Sequence, residues 1–248
     1  MRNRFNSILF ILVVTTFLSC AKEEEPLFKG FEDIDMAQVG WPAEDFPIKL
    51  KVANDIDNST VIRIEEEMTK WEESCDVDFF DNIETTTSKH FTDLKDYYFK
   101  DKENCGIYFS SAPFKEMDKT YLAVTQIYIE RNDTTDTRFK YKIVHADIIV
   151  NTGVNNFTND ELEMDAYFLP RVILHELGHV LGLKHDNQGI MVPASSLANR
   201  DSQLTDYDIK HIRDKYVQTV NKVNHIVQAE VLDEKILRFV SYTKLKTN

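Results

Sequence analysis

Residues 175–185 read His-Glu-Leu-Gly-His-Val-Leu-Gly-Leu-Lys-His, and three of the chain's seven histidines fall within them. His175 and His179 stand four apart, so a helix stacks them on one face about one turn from each other. Two neutral imidazoles so placed can grip one zinc ion, with bonds of about 2.0–2.1 Å. Glu176 projects beside that ion without having to bind it, which is where a general base must stand to take a proton from activated water. Gly182 falls where the helix must stop if the chain is to turn back, and glycine tolerates the left-handed conformation such a stop often uses. The turn lets His185 reach the same ion as a third ligand. Three protein ligands leave a fourth position for water, the arrangement of a catalytic rather than a structural site. A bare H-E-x-x-H arises by chance in many chains. Here five positions match, and a random match to five set residues is of order one in 10⁶ per start site at about one in twenty each.

Gly189-Ile190-Met191-Val192-Pro193 follows, with the methionine six residues after His185. This resembles the Met-turn of the metzincin metalloproteases. The resemblance implies one catalytic zinc held by His175, His179 and His185, with Met191 as an apolar floor that does not ligate. Further on, Thr205 can cap a helix with Asp208 three residues later, a short variant of the capping box. The pattern L-T-x-x-D-I-x-x-I-x-x-x-Y over 204–216 resembles the last helix of the matrixin branch. Asp186 follows the third histidine, where matrixins usually carry serine and adamalysin-like enzymes aspartate; the last helix points to the matrixins, which we favour. In many metzincins a tyrosine closely follows the Met-turn and helps at the metal. Here Val192 follows and no tyrosine appears before Tyr207, which leaves transition-state stabilisation to zinc and backbone groups. His145-Ala146-Asp147 is the only fragment of a matrixin structural-zinc site, so a second zinc is not expected. The region before the domain has no P-R-C-G-x-P-D-like segment, and hence no sign of latency through a cysteine on zinc.

These residues need a frame. The resemblance implies an α+β, zincin-type domain: a twisted mixed five-stranded sheet, an active-site helix and a small helical C-terminal subdomain. The sequence supplies candidates for each part. Strands are expected at 47–52, 77–80, 106–110, 121–129 and 142–150, from period-two alternation or short apolar runs. A helix capped by Ser59 or Thr60 should run to about residue 74, with Val61, Ile64, Met68 and Trp71 on its buried stripe. Residues 81–104 read as polar and irregular, and 167–183 as the active-site helix, with Pro170 tolerated in its first turn. By the resemblance, 121–129 is the sheet's edge strand, open to pair with an extended peptide, and 194–202 walls the pocket beyond the scissile bond. The alternative for 121–129 is an internal strand. Residues 217–248 run past a matrixin domain, and their spacing reads as a helical extension.

The 248 residues carry a net charge of −13, with 42% hydrophobic and 29% charged residues. That balance suits a soluble globular chain and argues against nucleic acid or anionic lipid surfaces as partners. Arg2 and Arg4 precede an apolar run over 8–18, too short for a comfortable membrane span. It ends Phe17-Leu18-Ser19-Cys20, which resembles a bacterial lipobox; Cys20 would then be lipidated and become the mature N-terminus. The expected organisation is a signal peptide over 1–19, a tether over 20–44, the catalytic domain over 45–216 and the extension over 217–248. A lipid-anchored protein on the outer membrane, facing the exterior, follows from that reading. Cys75 and Cys105 remain, and an exported chain permits a disulfide between them if their Cα atoms approach within about 7 Å. The loop 151–165 is rich in oxygen side chains. Calcium is conceivable there, but the loop lacks the D-x-[DN]-x-[DN]-G order and a solvated loop is expected. The expected function is a zinc endopeptidase acting on protein or peptide. The rival is a surface-binding lipoprotein that keeps the scaffold without cutting, against which Glu176 stands, since zinc binding alone does not require it.

Overall fold

The computed structural model describes residues 35–217 and 236–245, excepting 101, 116, 118, 119, 135 and 154. Its strands are β1 (Val39–Gly40), β2 (Leu50–Ala53), β3 (Glu84–Thr86), β4 (Cys105–Phe109), β5 (Tyr121–Arg131), β6 (Tyr141–Val150), β7 (Phe157–Thr158), β8 (Tyr167–Phe168), β9 (Ala194–Ser195) and β10 (Ile236–Leu245). The helices are α1 (Asn58–Cys75), α2 (Lys95–Phe99), α3 (Leu169–Val180) and α4 (Asp206–Tyr216).

The main sheet runs β3-β2-β4-β6-β5-β10-β9. Neighbours from β3 to β6 are parallel, and β5 lies antiparallel to β6. Those five strands are the mixed sheet that the resemblance implies. β1 adds a short parallel pair on the part of β6 that β4 leaves open. Residues 81–104 hold more order than their polarity suggests: β3 pairs with β2, and α2 buries Tyr97 and Tyr98. Tyr97 packs on Tyr108 of β4, with ring centroids 5.1 Å apart. The strand expected over 77–80 reduces to one bridge between Ile48 and Phe80.

Two expectations fail at the far edge of the sheet. β5 is not an edge, because β10 pairs with it antiparallel from Ile236↔Glu130 to Lys244↔Tyr121. The C-terminal stretch is therefore not a helical extension over 236–245 but a strand, and the sheet has eight strands rather than five. Ile236, Phe239, Val240, Tyr242 and Thr243 are β-branched or aromatic residues that favour a pleated surface. A dense apolar run of that kind fits either a buried helix or a buried strand by periodicity alone.

α1 packs across α3, and its cap is Asp57, whose carboxylate accepts the Thr60 amide at 3.0 Å, ahead of the expected Ser59 or Thr60. Ile64, Met68, Trp71 and Cys75 face the core, whereas Val61 is only half-buried. Residues 39–41 of the expected tether are buried in the domain; Trp41 is 5% exposed. Both tryptophans of the chain donate their indole N–H to α3: Trp71 to the Leu174 carbonyl at 3.0 Å and Trp41 to that of Val180 at 2.8 Å. Burying Trp71 fixes the helix's position, and truncation of such a side chain costs about 3–5 kcal/mol.

Candidate metal centre

Every residue of α3 is buried. Such a helix must satisfy the last carbonyls, which have no partner within the helix. Three foreign or local donors do so. Trp41 takes the Val180 carbonyl, the Tyr216 hydroxyl donates to that of Leu181 at 2.9 Å, and the turn itself closes the rest. The Gly182 amide bonds to the His179 carbonyl at 2.8 Å and the Leu183 amide to that of Gly178 at 2.9 Å, the two bonds of a Schellman motif. Gly182 adopts φ +74°, as its place in the sequence predicts. The helix is shorter than 167–183 because Tyr167 and Phe168 pair with β7, and the turn takes 181–183.

The turn returns His185 to the helix face. The rings of His175, His179 and His185 lie with centroids 4.6, 4.7 and 5.3 Å apart. One ligand nitrogen from each falls within 4.8 Å of the others, the only such cluster of metal-binding side chains among the described residues. The protonation pattern tests whether an ion fits. His175 Nδ1 lies 2.7 Å from the Ile190 carbonyl, and His179 Nδ1 lies 2.7 Å from that of Leu183. A carbonyl only accepts, so both Nδ1 atoms carry the proton and both Nε2 atoms are bare lone pairs. Those two Nε2 atoms face each other at 3.0 Å. No proton is available to bridge them, so they would repel unless a cation sits between. Burial depresses both imidazoles, with His185 adding to the effect at His175, which falls to about 3; His179 lies well below its ordinary value. Neutral rings with aligned lone pairs are the donor set that zinc takes.

A chain of hydrogen bonds holds His175. Asp208, 1% exposed, accepts the Ile190 amide at 3.0 and 3.1 Å through its two oxygens. The same carboxylate closes the expected capping box of α4 on Thr205. The Ile190 carbonyl then orients His175. The adjacent Met191 is buried against α3, where a Cβ on Gly178 would collide with its sulfur. Asp186 is held on both sides: it accepts the Tyr207 hydroxyl at 2.6 Å, and its amide bonds to the Met191 carbonyl at 3.0 Å. The aspartate after the third histidine thus ties the ligand loop to α4.

Glu176 is fully buried, and the Thr125 hydroxyl of β5 donates to its Oε2 at 2.5 Å. Its carboxylate sits one residue from His175 on the same helix. The sequence offered no signal for Thr125, one of several polar residues on an apolar strand, and none for the link from Asp208 to Ile190.

His175, Glu176, His179, His185 and Met191 therefore come together. Cys20 lies outside the described residues. No disulfide joins Cys75 and Cys105, against the expectation. Cys75 is buried in the core at the end of α1, and Cys105 accepts the Ala146 amide at 3.3 Å. His145 and Asp147 pair with each other at 2.8 Å, and Gln126 donates to Asp147 at 3.0 Å, a buried pin between β5 and β6.

The sequence profile of the matrixin family matches residues 49–217, from β2 to the end of α4. No curated protein matches the chain. Family and geometry agree on the helix, the turn and the three histidines: the chain belongs to the matrixins, a family of zinc metalloproteases.

Proposed function

We propose that this matrixin is an endopeptidase in which Glu176 is the general base. The observation that carries the reading is the convergence of one nitrogen from each of His175, His179 and His185 within 4.8 Å, on the helix that also carries the buried Glu176 and the turn that follows it. His175, His179 and His185 would hold a zinc ion, which when bound would supply acidification of water and polarisation of a carbonyl. Glu176 takes the proton of the attacking water and later hands it to the leaving amine. Thr125 holds the carboxylate in place, so the base need not search for its orientation. The Ile190 and Leu183 carbonyls keep both helix histidines in the tautomer whose Nε2 is unprotonated, the form that ligates a metal.

Glu176→Ala is the test. The variant should hold one zinc per chain and lose peptide cleavage by at least about 10²–10⁴-fold, the range general acid–base catalysis supplies. A mixed peptide library, with and without chelator, reads activity, and metal analysis reads zinc. Cleavage at the wild-type rate by the variant refutes the role of Glu176. We place the protein outside the cell, anchored through a lipid on Cys20, on the apolar run and the cysteine that ends it. Cys20→Ser should move the protein from the membrane fraction to the soluble one; retention in the membrane rejects the anchor.

A further inference from the structure

The sheet carries more than a metalloprotease site requires. β10 lies between β5 and β9, antiparallel to β5 and parallel to β9. Both flanking strands belong to the site: β5 carries Thr125, bonded to Glu176, and β9 begins three residues after Met191. Ser241 of β10 stands in register with Thr125, and Lys244 with Ala194. β10 also approaches α3, the helix of the base and two ligands. The backbone of 241–244 therefore lies between the strand whose Thr125 bonds Glu176 and the short strand that follows Met191. An extended peptide that reaches those groups by strand addition would use the outward N–H and C=O groups of β5. Those groups cannot pair twice. β10 falls beyond residue 217, where the family match ends, so the domain's family pattern does not call for it.

We propose that Ile236–Leu245 occupies the peptide track and holds the enzyme closed until it leaves. The inference rests on the peptidase reading for its consequence, though not for the occupancy itself. The segment is tethered to α4 by residues 218–235, so it competes as an intramolecular ligand. Such a tether gives an effective concentration in the millimolar range, and a segment with an intrinsic affinity of about 0.1 mM then raises the apparent KM about tenfold.

The test uses the full chain and the double variant Val240→Pro/Ser241→Pro. Successive amides of a strand point to opposite sides, so one of the two prolines removes a bond to β5 whichever way the strand is phased. In the zinc-loaded wild type, the β5 amides that face β10 should resist hydrogen exchange; in the variant they should exchange as an open edge. The variant's KM for a peptide substrate should fall about tenfold with kcat unchanged. Open-edge exchange in the wild type overturns the proposal, as does an unchanged KM once those amides have opened. A synthetic peptide spanning 234–248 decides occupancy without catalysis. It should bind the variant and not the wild type; equal binding to both overturns the proposal. If both chains hold zinc and neither cuts any peptide, the peptidase reading falls, while exchange and peptide binding still decide where the segment sits.

Discussion

Asp208→Asn separates the support of the metal site from its ligands. The wild-type carboxylate receives the Ile190 amide at 3.0 and 3.1 Å, the Thr205 amide at 2.9 Å and the Thr205 hydroxyl at 2.6 Å. Asparagine keeps the shape but has one acceptor oxygen, and its other end is a donor. It can face either Ile190 or Thr205 with oxygen; the remaining amide then meets an NH₂ group. An unsatisfied buried donor costs about 1–3 kcal/mol, and converting the surviving bonds from charge-assisted to neutral costs about 1 kcal/mol more. Relief of the buried charge offsets part of this, leaving a net loss of about 2–3 kcal/mol. The second consequence reaches the ion. Ile190 loses its anchor, its carbonyl no longer fixes the ring of His175, and zinc affinity should fall about 10–100-fold, as for other partners behind a metal ligand. Urea unfolding of the metal-free chain measures the first effect, and competition against a chromophoric chelator the second. Thr205→Ala is the control: it removes the cap of α4, costing about 1 kcal/mol, and should leave zinc affinity near wild type because Asp208 still holds Ile190. If Asp208→Asn keeps both stability and zinc affinity, or if Thr205→Ala weakens zinc as much, the chain from Asp208 through Ile190 to His175 is refuted.

Thr125→Val removes the 2.5 Å bond to Glu176 at nearly constant volume. Hydrogen bonds to charged groups are worth about 1.5–3 kcal/mol, so kcat should fall at least about tenfold while zinc content holds; an unchanged kcat rejects Thr125 as the residue that positions the base. Gly178→Ala drives a Cβ into the Met191 sulfur, with Met191 Cε and Trp71 Cζ2 both at 3.1 Å. Overpacking of this kind costs about 1–3 kcal/mol, and the strain should appear as lower thermal stability together with weaker zinc binding. A variant as stable as the wild type, with its zinc intact, would show that Met191 does not press on the helix.

The three histidines, Glu176 and the caps around them were legible because their relation is local. His175 and His179 share a face at a spacing of one turn, Gly182 sits where only a positive φ closes the turn, and Thr205 and Asp208 cap their own helix. Each is a relation among neighbours, which a linear sequence writes out directly. The support around them was not legible. Thr125 reaches Glu176 from 51 residues away, Trp71 reaches Leu174 from 103, and Trp41 reaches Val180 from 139. Cys75 and Cys105 share a chain and an oxidisable chemistry, yet the fold buries one thiol in the core and does not bridge the two.

The sequence by itself determined the histidine set, the glutamate beside it and the turn that brings the third histidine back, since helix periodicity and glycine's backbone freedom act within a few residues. Tertiary structure alone decided which carbonyls set the histidine tautomers, which hydroxyl holds Glu176, and that the strand after the family domain lies along β5. Backbone N–H and C=O groups are the same in every strand, so the pairing of 236–245 with β5 follows from which edge the folded sheet brings within its reach, not from its own residues.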